Sequence, residues 1–579
     1  MSLKVVIIGA VATGPKAGCR IKRLDPKAQV IMVDRDDIFA YSGCGIPYYV
    51  SGDVADLEGL KTTSFQMVRD AAFFEGAKGI QVMCGWEAVK IDRRAKEVLL
   101  EEVKGGAQQV LGYDKLVIAT GSQPQIPPIP GADLAGIWPV ANLHQAQAIK
   151  EALVQGRVGA AAVLGAGPTG LEMAEALADL WEVEVHLYEV AEQVLPGLLD
   201  REMASFVEHH ARQKGLNLYL EARVDRFVGD PGDGVRAVLA GGVETAVEMV
   251  VLATGVRPSS RLASEAGLEV SQMGAIRVNE HLQTSDPDIY AGGDCVVNKN
   301  LITGQETYLA SGSIANRQGR VIANNIVAGA NRAVFPGVVG SWIMKFFDLA
   351  VGKVGLSTSK AVEAGFDPVG ALVVQADRAH FYPDNQLMYL KLIADRKTRR
   401  ILGVQCLGEG RDAVAARIDA VAAAMPFKPT VEEIANLELA YAPPFASAMD
   451  ILNAAANTTA NLIDGLLEDI SPQEFSRTLN KEDPEVVFLD IRRPVQAEPF
   501  VETLGHKGWQ NIPQETLATR LDEVPRSRPI FLVCNSGARS YEAQTTLRQA
   551  GVNQTYNLAG GMAAVKMSGE EVLKEKGEE

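Results

Sequence analysis

The chain changes its pattern of apolar and polar positions at a few sharp points, and those points divide it into units. Residues 4–8 form a short β-branched run that stops at Gly9. Helical spacing of apolar residues follows, so KVVIIGAVATGPKAGCRIKRL predicts strand, glycine loop and helix. AAAVLGAGPTGLEMAEAL repeats the pattern from residue 160 onward. Two further segments, YDKLVIATGSQPQIPPIPG and MVVLATGVRPSS, read as strand, Ala-Thr-Gly and a proline-marked turn. PDIYAGGDCVV follows near residue 290. A mixed stretch with several strand candidates runs from Pro336 to Asn457, and the Ala/Asn-rich NAAANTTANLIDG reads as helix and linker. From Ser471 the strands EVVFLDI and PIFLVC alternate with helical patterns, the mark of a small α/β domain. The expected class is α/β throughout, with an α+β segment before the last domain.

Composition narrows the function. With 579 residues, three to five domains are expected. Apolar residues make up 47% and charged residues 22%, ordinary soluble usage that needs no metal or disulfide staple. A net charge of −16 argues against nucleic-acid binding, which needs surplus Lys and Arg. The opening apolar run lacks the length of a membrane span and the cleavage site of a signal peptide, so a cytoplasmic protein without membrane contact is expected. Cys19, Cys44, Cys84, Cys295, Cys406 and Cys534 show neither CxxC nor metal-ligand spacing, and most read as small buried hydrophobes.

Two strand–loop–helix units point to two dinucleotide sites. Gly165, Gly167 and Gly170 supply a tight turn, close approach to a pyrophosphate and close helix packing. Glu189, ending the next strand, can accept from an adenosine ribose and would repel a 2′-phosphate, which favours NADH. The first fingerprint keeps Gly9 and Gly14 but has Val11 in place of the middle glycine; Asp34 supplies the acid. Asp294, beside glycines at a strand end, can reach the ribityl or pyrophosphate region of a flavin. In this order the segments resemble the flavoprotein disulfide reductase superfamily over residues 1–455. The resemblance implies that Gly9, Gly14, Asp34, Thr120, Gly121 and Asp294 hold FAD, and that Gly165, Gly167, Gly170 and Glu189 hold the nicotinamide nucleotide. It also implies a division into an FAD domain (1–112 and 256–335), an NAD domain (113–255), an interface domain for a homodimer (336–457), a linker (458–470) and a last domain (471–579).

Cys44 lies in IFAYSGCGIPYYVSGD, where flanking glycines let backbone amides approach the sulfur and a following helix N-terminus favours a low-pKa thiolate. Dithiol members carry CxxxxC, but Tyr49 and Phe39 stand five residues either side, so the second sulfur must come from an exogenous ligand. The single-cysteine segment resembles the coenzyme A disulfide reductase branch, including its rhodanese-fused persulfide reductases. Single-cysteine NADH peroxidases and oxidases typically carry a His in the first glycine loop, where this chain has Ala12. By the same resemblance, Tyr441 of ELAYAPPFASAMDILNAAAN approaches the neighbouring subunit's active site and Tyr382 of HFYPDN lies near substrate. A phenol at either place suits proton donation to a leaving thiolate.

Lys16, Arg20 and Arg23 share one face of the first helix, which from spacing alone reads better as a solvated face; the resemblance, through family contacts at matching positions, makes them, with Ser42, equal candidates for coenzyme A. The branch often has Asn before the cysteine, and Gly43 stands here. In the last domain, Cys534-Asn-Ser-Gly-Ala-Arg539-Ser540 forms a loop of backbone N–H groups suited to a thiolate or persulfide. It resembles the rhodanese CxxGxRS loop, one residue shorter than that of the related phosphatases. The expected ligands are FAD, NADH and a small persulfide, polysulfide or coenzyme A disulfide. The expected reaction is persulfide reduction, with coenzyme A disulfide reduction, NADH oxidation and ligand-binding redox sensing as the competing readings.

Overall fold

The computed structural model describes residues 2–230, 232–329, 331–481, 485–570 and 572–573; the end of the expected last domain, from 574, lies outside them. The chain forms two compact units, Met1–Val190 with Ala222–Val338, and Ala191–Glu221 with Val339–Glu579.

The first unit contains two parallel sheets of the same design. In one, the strands lie in the order Ile289–Ala291, Lys115–Ile118, Lys4–Ile8, Gln29–Asp34, Gln81–Cys84. The other contains, in order, Asn217–Tyr219, Glu184–Tyr188, Ala160–Leu164, Met249–Leu252 and Ile137–Pro139. Their central strands are buried on both faces, which is why they read as continuous apolar runs rather than alternating ones. In each sheet the strand order reverses beside the first strand. Lys4–Ile8 is flanked by Gln29–Asp34 and Lys115–Ile118, and Ala160–Leu164 by Glu184–Tyr188 and Met249–Leu252. A crevice therefore opens at the carboxyl ends of those strands, where ligands of doubly wound sheets bind. Each half also carries a three-stranded antiparallel insertion, Trp86–Gly112 and Val224–Ala246. Ser122–Pro124 pairs with Val256–Pro258 where the chain crosses between the halves.

The second unit begins with an antiparallel sheet ordered Trp342–Phe346, Leu349–Gly355, Ile401–Gly408, Leu387–Asp395, Pro368–Ala376. Helices Arg411–Ala424 and Ile451–Ile463 accompany it, joined by the buried Arg417–Asp450 ion pair. A parallel sheet follows, ordered Asp469–Ile470, Thr555–Leu558, Ile530–Val533, Val487–Asp490, Trp509–Asn511.

Three expected boundaries move. Lys115–Ile118, placed by sequence in a nucleotide domain starting at 113, pairs with Lys4–Ile8 and completes the first sheet. Residues 458–463 belong to the Ile451–Ile463 helix rather than a linker, and Asp469–Ile470 is already a strand of the last sheet. Ala191–Glu221, expected within the NAD domain, groups with the second unit by compactness, although its strand Asn217–Tyr219 belongs to the sheet of Glu184–Tyr188. Its Asp200 accepts from the Thr358 N–H at 2.8 Å and pairs with Lys391 at 2.8 Å, and Glu202 meets Lys391 at 3.0 Å. Such buried, paired charges fix this part of the segment onto the sheet of Leu387–Asp395.

Candidate active site

The fingerprint glycines meet different local constraints. Gly9 and Gly165 sit at φ +104° and +98°, and a Cβ on either would lie 2.1 Å from the Ala119 carbonyl or 2.5 Å from that of Ala253. A Cβ on Gly14 or Gly170 would lie 2.0 or 1.8 Å from the carbonyl of the first glycine of its own loop. Gly167 has no atom within 4 Å of its Cβ direction, so this backbone stands open to a ligand at the N-terminus of the Pro168–Ala178 helix. Each acid braces its loop: Asp34 accepts the Ala10 N–H at 2.7 Å and Glu189 the Ala166 N–H at 2.7 Å. Burial pushes the Asp34 carboxyl up, against the pull of two backbone N–H groups.

Thr120 donates to the Ser259 carbonyl at 2.6 Å, and Gly121 takes φ +66°. Asp294 accepts from the Ser311 N–H at 3.0 Å and lies 3.4 Å from the Ser122 hydroxyl. The first crevice thus has a glycine cradle, a ribose-type acid and a second acid at an adjacent strand end, which fits FAD. The second has the open Gly167 backbone and Glu189, which fits the nicotinamide nucleotide.

Cys44 is exposed, in a short 3-10 turn (Gly43–Gly45) that leads into the Ile46–Ser51 helix. A Cβ on Gly45 would crowd the tip of the Leu60 side chain at 2.4 Å; one on Gly43 would make only an ordinary contact with the Tyr41 ring at 3.9 Å. The sulfur lies beside Gly312, first residue of the Gly312–Ala328 helix, where an added Cβ would sit 3.8 Å from it. This second helix terminus was missed by the sequence reading, although Ser311-Gly312 before a periodic apolar run carries the signal of a helix start. The expected low thiol pKa is not found. Burial, then Glu172 and then Asp294, push the Cys44 thiol up, and the backbone N–H groups of Gly312 and Cys44 only oppose them. Glu172, the second residue after Gly170, was also overlooked. Burial and then Glu175 push it up to about 7, opposed by the nearby Tyr48 hydroxyl.

Of the basic candidates, Lys16 and Arg23 are exposed, and the Arg20 Nε donates to Asn324 at 3.0 Å. Arg23 Nε donates to the Cys19 carbonyl at 3.1 Å, and Ser42 is exposed beside Cys44.

The remaining candidates belong to the second unit. Tyr382 and Tyr441 are 37% and 51% exposed, on loops joined by the Ala379 N–H to Pro443 carbonyl bond at 3.1 Å. Phe381 and Phe445 project beside them, 68% and 74% exposed. Cys534 ends the Ile530–Val533 strand and is buried; its sulfur receives the Gly537 N–H at 3.1 Å and lies 3.1 Å from the Ser540 hydroxyl. Ser540 is held in turn by Asn557, and Arg539 is half-buried in the first turn of the next helix. At the end of the neighbouring Val487–Asp490 strand, buried Asp490 pairs with Arg492 and accepts from Trp509.

Fold and site together define a two-dinucleotide oxidoreductase carrying a separate thiol domain. Residues 3–319 match the pyridine nucleotide-disulphide oxidoreductase family, 342–452 its dimerisation domain and 471–568 the rhodanese-like domain. The NAD(P)H coenzyme A polysulfide/persulfide reductase of Pyrococcus horikoshii is 33% identical over 78% of this chain and 97% of its own length. An NADH oxidase of Methanocaldococcus jannaschii is 34% identical over 78% of this chain and 98% of its own. The solved NAD-dependent persulfide reductase from A. fulgidus is 39% identical, with a TM-score of 0.90 over 97% of this chain and 100% of its own. The chain belongs to the pyridine nucleotide-disulphide oxidoreductase family, in the coenzyme A disulfide and persulfide reductase branch that carries a rhodanese-like domain. It is an enzyme that uses FAD and NAD(P)H.

Proposed function

We propose that this enzyme uses NADH to reduce coenzyme A persulfide or polysulfide at Cys44, with Cys534 delivering sulfane sulfur. The observation that carries this reading is the exposed Cys44 sulfur at the Gly312 helix terminus, while all six cysteines are free thiols. When bound, FAD supplies the two-electron link between NADH and sulfur. The Gly9–Gly14 loop, Asp34, Thr120, Gly121 and Asp294 would hold it in the first crevice. Gly165, Gly167, Gly170 and Glu189 would hold the dinucleotide, the Glu189 charge disfavouring a 2′-phosphate.

The Cys44 thiolate attacks the inner sulfur of RS–SH. The old S–S bond breaks, sulfide leaves, and a mixed disulfide Cys44–S–S–R remains. Two electrons from NADH then cleave that bond, returning the Cys44 thiolate and RS−. The phenol of Tyr441, and Tyr382 beside it, would protonate the leaving sulfur. Lys16, Arg20, Arg23 and Ser42 are the groups proposed to meet coenzyme A. The match to the dimerisation domain and the exposed aromatic loops support a homodimer in which Tyr441 reaches a second copy. Free thiols and NADH chemistry fit a cytoplasmic enzyme; among the described residues no helix is long and apolar enough to cross a membrane.

The test is NADH oxidation driven by coenzyme A persulfide in wild type and Cys44→Ser. A loss of at least about 100-fold is expected, since the nucleophile is removed. Undiminished turnover overturns the mechanism. Coenzyme A disulfide in the same assay measures the alternative substrate, which the same thiol chemistry would accept.

A further inference from the structure

Backbone contacts hold the Cys534 loop in place. Met562 and Ala563, at the start of the Gly561–Met567 helix, donate their N–H groups to the Cys534 and Asn535 carbonyls at 2.9 and 3.0 Å. A Cβ on Gly561 would lie 2.5 Å from the Asn535 carbonyl carbon and from the Ser536 nitrogen, so helix and loop touch main chain to main chain. The neighbouring Thr555–Leu558 strand sets Asn557 opposite Leu532, two residues before Cys534. Cys534, Ser540 and Asn557 are all buried.

The Ser540 hydroxyl has one proton and three neighbours able to take it. The Gly537 carbonyl and the Cys534 sulfur each lie at 3.1 Å, and the Asn557 Oδ1 is closer still. With Oδ1 turned to Ser540 the proton goes to the amide, and the hydroxyl oxygen accepts from the Cys534 S–H. That arrangement suits a neutral thiol. A thiolate has no proton to give and needs donors instead. The amide has a second orientation, because its last torsion is roughly two-fold and half a turn exchanges Oδ1 for Nδ2. Nδ2–H then donates to the Ser540 oxygen, and the Ser540 proton is released to the sulfur. The Gly537 N–H already donates there at 3.1 Å, so the anion gains a second donor. A hydrogen bond to an ionised group is about twice as strong as a neutral one, which favours the sulfur over the Gly537 carbonyl.

We propose that Asn557 is a positioning residue for sulfur transfer at Cys534, its amide reversing so that Ser540 accepts from the thiol and donates to the thiolate. The proposal rests on the reading of Cys534 as the sulfur carrier. The proton of Cys534–SH passes to water. In loading, the thiolate attacks an end sulfur of polysulfide; one S–S bond forms, one breaks, and a polysulfide dianion one sulfur shorter leaves. In discharge, a nucleophile such as cyanide takes the outer sulfur as thiocyanate, and the electron pair of the broken S–S bond returns to Cys534 as thiolate. No outside oxidant or reductant enters either step. The Cys534 sulfur is thus the nucleophile in loading and the leaving group in discharge. A hydrogen bond to a thiolate makes it a poorer nucleophile but a better leaving group. The Ser540 donor therefore has opposed effects on loading, where it also favours the ionised form, and a single favourable effect on discharge.

The experiment separates the two half-reactions on the full-length holoenzyme. Loading by inorganic polysulfide is read as the mass of the Cys534 peptide, and discharge as thiocyanate formed by the loaded protein with saturating cyanide. A carboxylate only accepts, so Asn557→Asp keeps the Ser540 proton turned from the sulfur. Discharge should slow by about tenfold or more, as for a lost charge-assisted hydrogen bond, while loading changes by less than about threefold. Ser540→Ala should show the same split. The double variant should be no slower than Ser540→Ala, because Asn557 acts through that hydroxyl. Unchanged discharge in Asn557→Asp, or losses that multiply in the double variant, overturn the proposal. Equal loss in both half-reactions overturns it too, since Asn557 then serves packing alone. If Asn557→Asp does not fold, Asn557→Leu takes its place. Discharge should then slow roughly threefold, because the Ser540 oxygen loses the donor that polarises it, and an unslowed discharge overturns the proposal. The Cys534 reading is judged separately, and it fails if the wild-type Cys534 peptide gains no sulfur.

Discussion

Gly165, Gly167 and Gly170 look alike in sequence, yet they meet different constraints and respond differently to one added methyl. A Cβ on Gly170 would lie 1.8 Å from the Gly165 carbonyl, so helix and loop must separate. Gly170→Ala should cost about 1–3 kcal/mol of stability, as overpacking does, and weaken NADH binding as well. Gly167 has open space and an ordinary extended conformation, so Gly167→Ala should change the thermal midpoint little while still raising the Kd for NADH, because the methyl occupies the path of the pyrophosphate. Thermal melts with NADH titration separate the two; equal destabilisation by both would show that Gly167 packs against protein. At this scale the sequence was legible wherever one residue type answers a local backbone need. It was illegible at Glu172 and Gly312, whose importance comes from what lies opposite them across the fold. The low thiol pKa expected from the glycines around Cys44 failed for the same reason: the acids that oppose it, Glu172 and Asp294, are distant in the chain.

Lys353, Gln405 and Lys391 stand in register across three neighbouring strands, beneath the start of the Arg201–Gln213 helix. Lys391 is matched by Asp200 and Glu202, but Lys353 is buried with only the more general pull of Asp200. Burial therefore pushes Lys353 down from 10.5 to about 8. For a lysine whose folded pKa lies below its unfolded value, the native state binds fewer protons in between. Stability thus rises as pH climbs from about 8 to about 10.4, and the full cost is present below 8. Lys353→Met should raise the thermal midpoint at pH 7, with up to about 3 kcal/mol gained from a shift of this size, and the gain should shrink at pH 10. A pH-independent effect would assign it to packing instead. The strands of this sheet were readable as apolar runs. That Asp200 and Glu202 meet them was not, because these charges gain their meaning only from a lysine far along the chain.

At the scale of the whole chain, two thiols lie in different compact units with opposite settings: Cys44 exposed, Cys534 buried among donors. An exposed sulfur can meet a substrate as large as coenzyme A, whereas a sulfur closed in by the Gly537 N–H and the Ser540 hydroxyl suits a small anionic cargo. The order of domains was legible because each begins with its own strand-and-loop signature. The division of labour between the thiols was not, since exposure is a property of packing and both cysteines follow apolar or small residues in the sequence. The two settings predict two separable defects. After brief treatment with inorganic polysulfide, wild type should carry the mass of one extra sulfur atom on the Cys534 peptide, and Cys534→Ser should not. That variant should oxidise NADH normally with preformed coenzyme A persulfide, because Cys44 receives this substrate directly, yet lose most turnover when polysulfide is the only sulfur source. Equal loss on both substrates would mean that sulfur must pass through Cys534 in every cycle, and equal retention would mean that the last domain serves a different acceptor.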